Sequence, residues 1–178
     1  MINNAEFVLS VFIAKYFMQN YRFPHTQAQF SNVKVEEGDP VYTVSGRICL
    51  DGKGFLTALL LEQQTLRITV RISAVLPLSD TEEDCFDKHL EEMNRALPID
   101  FEVALKESRP VFTHLIHKGQ TPCSEEELIK SVGYTVTLSA AFFNTFRCQI
   151  MNHTESSPPT ELVKSCVPAE DTSKSTKI

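Results

Sequence analysis

The chain has 178 residues, of which 42% are hydrophobic and 22% are charged, a composition typical of a globular protein that forms one domain with its own core. Its 17 lysines and arginines against 23 acidic residues give a net charge of −6, which argues against nucleic acid as a partner. The cysteines have no short paired spacing, so we expect neither a disulfide framework nor a zinc site, and a reducing cytoplasm as the location; they are Cys49, Cys85, Cys123, Cys148 and Cys166.

The first segment is apolar but is not predicted to enter a membrane. Residues 1–21 carry no basic leading stretch, and Glu6, Lys15 and Gln19 interrupt the apolar run before it reaches spanning length. Neither a signal peptide nor an anchor is therefore expected. Apolar residues at helical spacing instead predict a helix over residues 4–21, with an asparagine available as its N-cap.

Short runs rich in β-branched residues follow the first helix. A short strand and turn are predicted over residues 32–40, and a better strand over "VYTVSGRICL", 41–50. The "DGKG" stretch at 51–54 predicts a hairpin, since its two glycines can adopt the positive φ angles of tight turns. With the strands expected at 55–63 and 65–73, these runs form an antiparallel meander of three or four strands.

The stretch "TLRITVRIS", residues 65–73, alternates without interruption. Such alternation is typical of a strand with one dry face and one wet face. The polar side is either an ordinary solvated surface or a docking surface for another chain. The dry side consists of Leu66, Ile68, Val70 and Ile72, and the candidates for partner binding on the polar side are Arg67, Thr69 and Arg71.

A second helix is predicted over residues 79–98, with an acidic first turn that suits the helix dipole. It carries a narrow apolar stripe. Packing on the sheet is the ordinary explanation for such a stripe, and the alternative is pairing with a second copy of the chain, since two-fold dimers are the commonest oligomers. The candidate residues for self-association are Phe86, Leu90, Met93 and Leu97.

The remaining segments predict a second hairpin and a last helix. The hairpin covers "DFEVALKES" and "PVFTHLIHKG", and the helix begins at Ser124, with Glu127 completing a capping box, and continues to about Met151. From residue 152 onward the chain is rich in Ser, Thr, Pro and charge, which predicts a mobile tail. We therefore expect a single α+β domain over 1–151, a sheet of about five to six antiparallel strands with helices packed on it, and a flexible tail over 152–178.

Local motifs for catalysis are absent from the sequence. No glycine-rich phosphate loop or nucleophile-elbow motif occurs, so we expect no catalytic residues, no cofactor and no metal. His114 and His117 are three positions apart on a strand, which predicts opposite faces and no shared ion. One alternative stays open, a thiol-dependent enzyme or redox sensor centred on Cys123, just before the last helix, with His114 or His117 as its base.

Four stretches carry a family resemblance: "LRITVRISAVLP", "LEEMNRALPIDFEVAL", "VFTHLIHKG" and "SEEELIKSVGYTVTLSAAFF". With the element order of helix, three or four strands, helix, two strands and helix, the chain from Leu66 to about Ile150 resembles the YbjN-like proteins, which are related in fold to the type III secretion chaperones. The resemblance covers about half of the chain, and it is one of order and spacing rather than of catalytic residues.

This resemblance implies a three-layer-like α+β domain in which helices cover one sheet face and the remaining surface binds proteins. Secretion chaperones of this fold are generally acidic dimers that hold an extended segment of an effector before export. We therefore expect a non-enzymatic, cytoplasmic chaperone-like or adaptor protein that binds a protein client or a secretion-system component along sheet edges and apolar grooves. The expected alternatives are the thiol-dependent protein and a structural subunit of a secretion complex, and a homodimer is left open.

Overall fold

The structure is a computed structural model that describes the backbone of residues 4–154 and the side chains of residues 4–146. The described residues form an α+β fold with three helices and one six-stranded sheet, as predicted. The elements in chain order are α1 (Asn4–Asn20), β1 (Ser31–Glu36), β2 (Val41–Leu50), β3 (Lys53–Glu62), β4 (Ile68–Ala74), α2 (Asp80–Ala96), β5 (Phe101–Lys106), β6 (Arg109–His117) and α3 (Glu125–Thr154).

The sheet has the order β1-β2-β3-β4-β6-β5, and all neighbouring strands are antiparallel. The predicted meander therefore has four strands. The β2–β3 hairpin turns at Asp51 and Gly52, with φ angles of 49° and 75°, which suits a two-residue turn of primed type. The predicted hairpin is confirmed, and of its two glycines Gly52 takes the positive φ angle while Gly54 lies inside β3.

Strand β4 begins at Ile68 rather than at residue 65, where the alternation begins. Leu66 has a φ of 56°, and its N–H donates to the carbonyl of Glu62 at 3.0 Å, so this part of the chain forms the turn between β3 and β4. Alternating polarity alone did not distinguish turn from strand here, since the side chain of Leu66 is buried in both cases.

Helix α1 packs on one face of β1, β2 and β3. The ring of Phe7 contacts Tyr42 edge-on, with 4.9 Å between centroids. A Cβ placed on Gly46 would lie 3.1 Å from the terminal methyl of Met18, so the absence of a side chain on β2 lets the helix approach closely. Within the described chain, no helix combines the length and the apolarity needed to cross a membrane.

Helix α3 begins with the predicted capping box. The N–H of Glu127 donates to the hydroxyl of Ser124 at 3.2 Å, and the Glu127 carboxylate accepts from the Ser124 N–H at 2.9 Å. Leu128, Val132 and Val136 then form its buried stripe. The helical prediction is confirmed, and α3 continues to Thr154, so residues 152–154 are helical rather than part of a tail.

The chain divides into two compact units, Met1–Ala140 and Ala141–Ile178, and the boundary falls inside α3. The sheet belongs to the first unit, and the single domain expected over residues 1–151 stays a prediction. Of the predicted tail, residues 155–178 lie outside the described residues.

Helix α2 protects the β5 edge of the sheet. The side-chain amide of Asn94 donates to the carbonyl of Val103 at 2.9 Å and its oxygen accepts from the Val103 N–H at 2.8 Å. A neighbouring strand would form the same pair of bonds, so Asn94 satisfies the edge at this point and prevents another strand from pairing there. At its other end, α2 begins with a capping box of Ser79 and Glu82.

Candidate functional site

An irregularity in the β4–β6 pairing brings both hairpin histidines to the same face of the sheet. This face, here called the covered face, is the one on which α1 packs at Gly46 and α3 packs at the two histidines. Ile68 pairs with His117 and Val70 pairs with His114, with a register shift in between. Because Ile68 and Val70 are two positions apart and point to the same face, their cross-strand partners do so too. The prediction that the two histidines lie on opposite faces is therefore wrong, since the shift adds one residue to β6.

The two histidines nevertheless do not meet. Both contact α3, but His114 reaches Thr135 and His117 reaches Glu127, eight positions apart on the helix and therefore roughly 12 Å along its axis. The conclusion that they cannot share an ion therefore stands, for a reason other than the one drawn from the sequence.

His114 lies in a mostly apolar site. Its Nδ1 is 2.7 Å from the Thr135 hydroxyl oxygen, and since that hydroxyl donates to the carbonyl of Ser131, Nδ1–H is the donor to Thr135. The rings of Phe101 and Tyr134 are its aromatic neighbours. Burial lowers the pKa of His114 below its usual value, and the charge of Asp100 opposes this effect.

His117 is held at the start of α3 by both of its ring nitrogens. The side chain is buried, with 8% of its surface exposed. Its Nε2 is 2.8 Å from the carbonyl oxygen of Thr121; because a carbonyl only accepts, Nε2 carries the proton. Its Nδ1 lies 3.4 Å from Oε1 of Glu127. The loop between β6 and α3 thus folds back over the ring.

Cys123 completes a cluster with these two residues. One donor atom each from His117, Cys123 and Glu127 can be chosen so that all three lie within 4.8 Å of one another. Burial raises the pKa of the Cys123 thiol to about 12, and the charge of Glu127 and a hydrogen bond with it add to this effect. A thiol of this kind is protonated at neutral pH and is a poor nucleophile, which weighs against the thiol-enzyme alternative.

Glu127 is expected from the sequence to oppose a lowering of the Cys123 pKa, but its contact with His117 was not predicted. Its Oε2 accepts from the N–H of Ser124, which is the largest cause of its lowered pKa, and this leaves Oε1 directed at His117. The sequence signal was the capping box itself, which accounted for the glutamate without reference to the histidine. The approach of His117 depends on the loop, and a pattern of spacing does not reveal it.

The opposite face of the sheet, here called the open face, carries the candidates for partner binding. Thr69 and Arg71 are partly exposed on β4, and Arg67 is exposed just before that strand. The Nε atom of Arg71 is buried and has no hydrogen-bond partner among the described residues. Cross-strand pairing places these further residues on the open face, all at least partly exposed: Thr43, Ser45, Arg47, Leu56, Ala58, Leu60, Ser73, Thr113 and Leu115.

A groove of about 570 Å³ continues the open face towards the β5 edge. Thr69, Thr113 and Leu115 form its floor, and residues from the end of α2 and the start of β5 form its wall. One wall residue, Asp100, pairs with Lys118 at 2.7 Å. The wall consists of Asn94, Asp100, Phe101 and Glu102.

The candidate self-association stripe on α2 is partly used by the chain itself. Phe86 is fully buried within the single chain, so it is not available to a second copy and is removed from the stripe. Leu90, Met93 and Leu97 are partly exposed. The sequence did not distinguish packing on the sheet from self-association, because apolar spacing does not tell which turn of a helix contacts the sheet.

Comparison with known proteins finds no match to this chain among family models, curated proteins or solved structures. The resemblance to the YbjN-like proteins and to the type III secretion chaperones therefore stays a prediction. The features of the described residues that bear on function are the open face, the groove and the cluster at the start of α3.

Proposed function

We propose that this protein is a non-enzymatic protein-binding module, a secretion-chaperone-like or adaptor protein, and that its open face holds an extended acidic segment of a partner protein. The observation that carries the proposal is a set of arginines on the open face of an acidic protein, where the side chains are at least partly exposed and the arginines have no ion-pair partner among the described residues. The partner is a protein client or a component of a secretion system, as the family resemblance implies.

Charge is the first support. Among the residues that the structure describes, none forms an ion pair with Arg47, Arg67 or Arg71. The protein nevertheless has more acidic than basic residues, with a net charge of −6, and none of the described acidic side chains pairs with these arginines. Guanidinium groups bind carboxylates in bidentate geometry, and the partner atoms suited to them are the carboxylates of another chain.

Exposed apolar side chains between the arginines are the second support. Leu56 is 50% exposed and pairs across the sheet with Arg47 on one side and Ser73 on the other. Leu60 and Leu115 flank Thr69 in the same manner. Successive side chains of an extended segment point to opposite sides, so only one side of the segment would meet this face. Carboxylates on that side would meet the arginines, and apolar groups on it would meet the leucines.

The sheet edges are less suitable than the face. Asn94 occupies the backbone groups of Val103 on β5. At the other edge, β1 is short, and its pairing with β2 is interrupted by a register shift between Ser31 and Lys34. Both are devices that discourage strand addition. We therefore assign binding to the open face rather than to backbone pairing at an edge, which the sequence had also suggested. The groove is not part of this assignment, because its charged lining residues, Asp100 and Glu102, are acidic.

The proposal is tested with two labelled peptides of equal length, one alternating Glu with Leu and one alternating Lys with Leu. Fluorescence anisotropy is measured with the wild-type chain, with the double variant Arg67→Glu/Arg71→Glu, and with Arg22→Glu, an exposed arginine outside the sheet. We expect the acidic peptide to bind the wild type and Arg22→Glu alike, and to bind the double variant at least about tenfold more weakly, or about 1.4 kcal/mol.

Equal binding of the two peptides, or an unchanged affinity in the double variant, contradicts the proposal. If the acidic peptide binds as expected, proteins that co-purify with the wild type from the source cells and are lost with the double variant identify the partner. A partner that stays bound permanently through a large apolar interface favours the structural-subunit alternative.

A further inference from the structure

The cluster at the start of α3 has the donor atoms of a metal site. An imidazole nitrogen, a thiol sulfur and a carboxylate oxygen from His117, Cys123 and Glu127 lie within 4.8 Å of one another. Two ligands at about 2.0 Å from a tetrahedral zinc ion are about 3.3 Å apart. The distance of 3.4 Å between His117 Nδ1 and Glu127 Oε1 is therefore close to the edge of such a tetrahedron.

The two ring nitrogens of His117 have different partners. Nε2 donates its proton to the Thr121 carbonyl at 2.8 Å. Nδ1 faces Oε1 of Glu127 at 3.4 Å, so it is the ring nitrogen that lies beside the carboxylate and the thiol and can serve as a metal ligand.

The groups around the three donor atoms hold them as in known metal sites. A metal-binding histidine usually donates its other ring N–H to a carbonyl, and a binding carboxylate is itself hydrogen-bonded. Here Thr121 accepts from His117, and Ser124 donates to Oε2 of Glu127 while Oε1 stays available. A Cβ on Gly119 would come within 3.0 Å of the His117 ring, so this glycine lets the loop lie against the imidazole.

We propose that His117 Nδ1, Cys123 Sγ and Glu127 Oε1 bind one zinc ion, with a water molecule in the fourth position. On binding, a bond forms between zinc and sulfur and the thiol proton leaves to solvent, so thiolate, carboxylate and Zn²⁺ sum to zero charge beside a neutral imidazole. Glu127 is exposed, which leaves room for the water. A thiolate and an imidazole favour zinc over magnesium or calcium.

This inference departs from the expectation, drawn from cysteine spacing, that the chain has no metal site. It is independent of the proposed function, because His117 lies on the covered face of the sheet and the arginines lie on the open face. Loss of zinc binding and loss of acidic-peptide binding are therefore separate results.

The test is titration of the reduced, chelator-treated full-length chain with Zn²⁺ by isothermal calorimetry, in buffers of different ionisation enthalpy that report proton release. Co²⁺ is the spectroscopic probe, since a cobalt–thiolate bond gives an ultraviolet charge-transfer band and a tetrahedral site gives visible bands. We expect one ion per chain, proton release and both sets of bands.

Three variants locate the site. Cys123→Ser removes the sulfur, and Glu127→Gln removes the charge while its amide oxygen can still serve the capping box. Cys85→Ser is the matched control, because Cys85 also lies near a histidine, His89, at 3.8 Å, but on α2. We expect Cys123→Ser and Glu127→Gln to weaken Zn²⁺ binding at least about tenfold and Cys85→Ser to leave it unchanged.

Circular dichroism without metal shows whether each variant is folded, and Glu127→Gln keeps the test decisive should Cys123→Ser unfold. No saturable binding of Zn²⁺ by the wild type, or wild-type affinity in folded Glu127→Gln, overturns the proposal. Loss of binding in Cys85→Ser overturns it as well, because the ion would then lie on α2.

Discussion

His114 shows how burial of one ionisable side chain couples folding to pH. The neutral ring donates to Thr135 between two aromatic rings, and burial lowers its pKa despite the charge of Asp100. In the unfolded chain the imidazole titrates near its usual value of 6.5, so as pH falls the unfolded state takes up the proton first. Stability is therefore fully present above that pH and is lost below it.

We predict that His114→Asn removes this acid sensitivity. The amide of asparagine can still donate towards Thr135 but does not titrate. Urea unfolding at several values between about pH 5 and about pH 7.5 should show the wild type losing stability relative to the variant as pH falls, by at most about 1.4 kcal/mol per pH unit. A difference between the two proteins that does not change with pH contradicts the assignment.

Cys123 provides a second prediction at the scale of the residue. Burial raises its pKa from about 9.0 to about 12, so the thiolate fraction at neutral pH falls by a factor on the order of 10³. We expect iodoacetamide to label Cys123 in the metal-free native chain at least about a hundredfold more slowly than Cys49, which is exposed.

Peptide mass spectrometry follows each cysteine separately in this experiment. The difference between the two cysteines should disappear in urea, which is the control for local sequence effects. Native labelling of Cys123 as fast as that of Cys49 contradicts the burial and revives the thiol-enzyme alternative.

At the scale of the element, the edge of β5 depends on one side chain of α2. Asn94 forms hydrogen bonds with both backbone groups of Val103 and, through its nitrogen, with the carbonyl of Leu90. Its removal leaves a strand N–H and carbonyl without partners in a partly buried position, which costs more than the bonds themselves contribute.

We predict that Asn94→Ala lowers the free energy of unfolding by about 2 kcal/mol. Asn20→Ala is the matched control, since exposed Asn20 donates only to the carbonyl of Tyr16 within its own helix, and its loss should cost less than about 0.5 kcal/mol. Urea denaturation of the three proteins measures both values. A cost for Asn94→Ala no larger than that of the control would show that water or another group satisfies the edge.

The helices and strands were largely predictable from the sequence, but the pairing of β4 with β6 was not. In α1 the apolar spacing predicts the helix but not its buried face, since Val8 and Phe12 are 59% and 64% exposed. Helices α2 and α3 and most of the strands follow from local periodicity, because the burial of one face imposes its spacing on the residues themselves. The register shift between β4 and β6 does not, since the extra residue becomes visible only when one strand is paired with another. Because of that shift His114 and His117 lie on the same face, the covered face, whereas the sequence predicted opposite faces.

The candidate sites show the same division at the scale of the whole molecule. Thr69 and Arg71 were predictable as a polar row, because alternation identifies a strand face, whereas Arg67 lies just before β4. The exposure of that face among the described residues depends on where the helices pack. The meeting of Cys123, His117 and Glu127 depends on how the loop after β6 folds back, and the sequence offered only the choice between His114 and His117.

The net charge of the whole molecule opposes the binding of an acidic peptide. With a charge of −6 the protein repels an acidic peptide as a whole, and the arginines of the open face must overcome this locally. The affinity ratio between wild type and Arg67→Glu/Arg71→Glu reports the effect of charge at these two positions, lost attraction together with new repulsion. This effect is electrostatic and is reduced by added salt, since the screening length falls from about 30 Å at 0.01 M to about 8 Å at 0.15 M.

We therefore predict that the affinity ratio between the wild type and Arg67→Glu/Arg71→Glu for the acidic peptide decreases as sodium chloride is raised. The decrease should be roughly tenfold between about 0.01 M and about 0.15 M. The control is Leu56→Ser, which removes an exposed apolar side chain of the same face. The affinity ratio between the wild type and Leu56→Ser should stay nearly constant as salt is raised, because apolar contact is not screened. Anisotropy titrations at four salt concentrations measure both ratios. If the two ratios respond equally to salt, the arginines do not pair with the carboxylates of the peptide, and the open face binds by apolar contact alone.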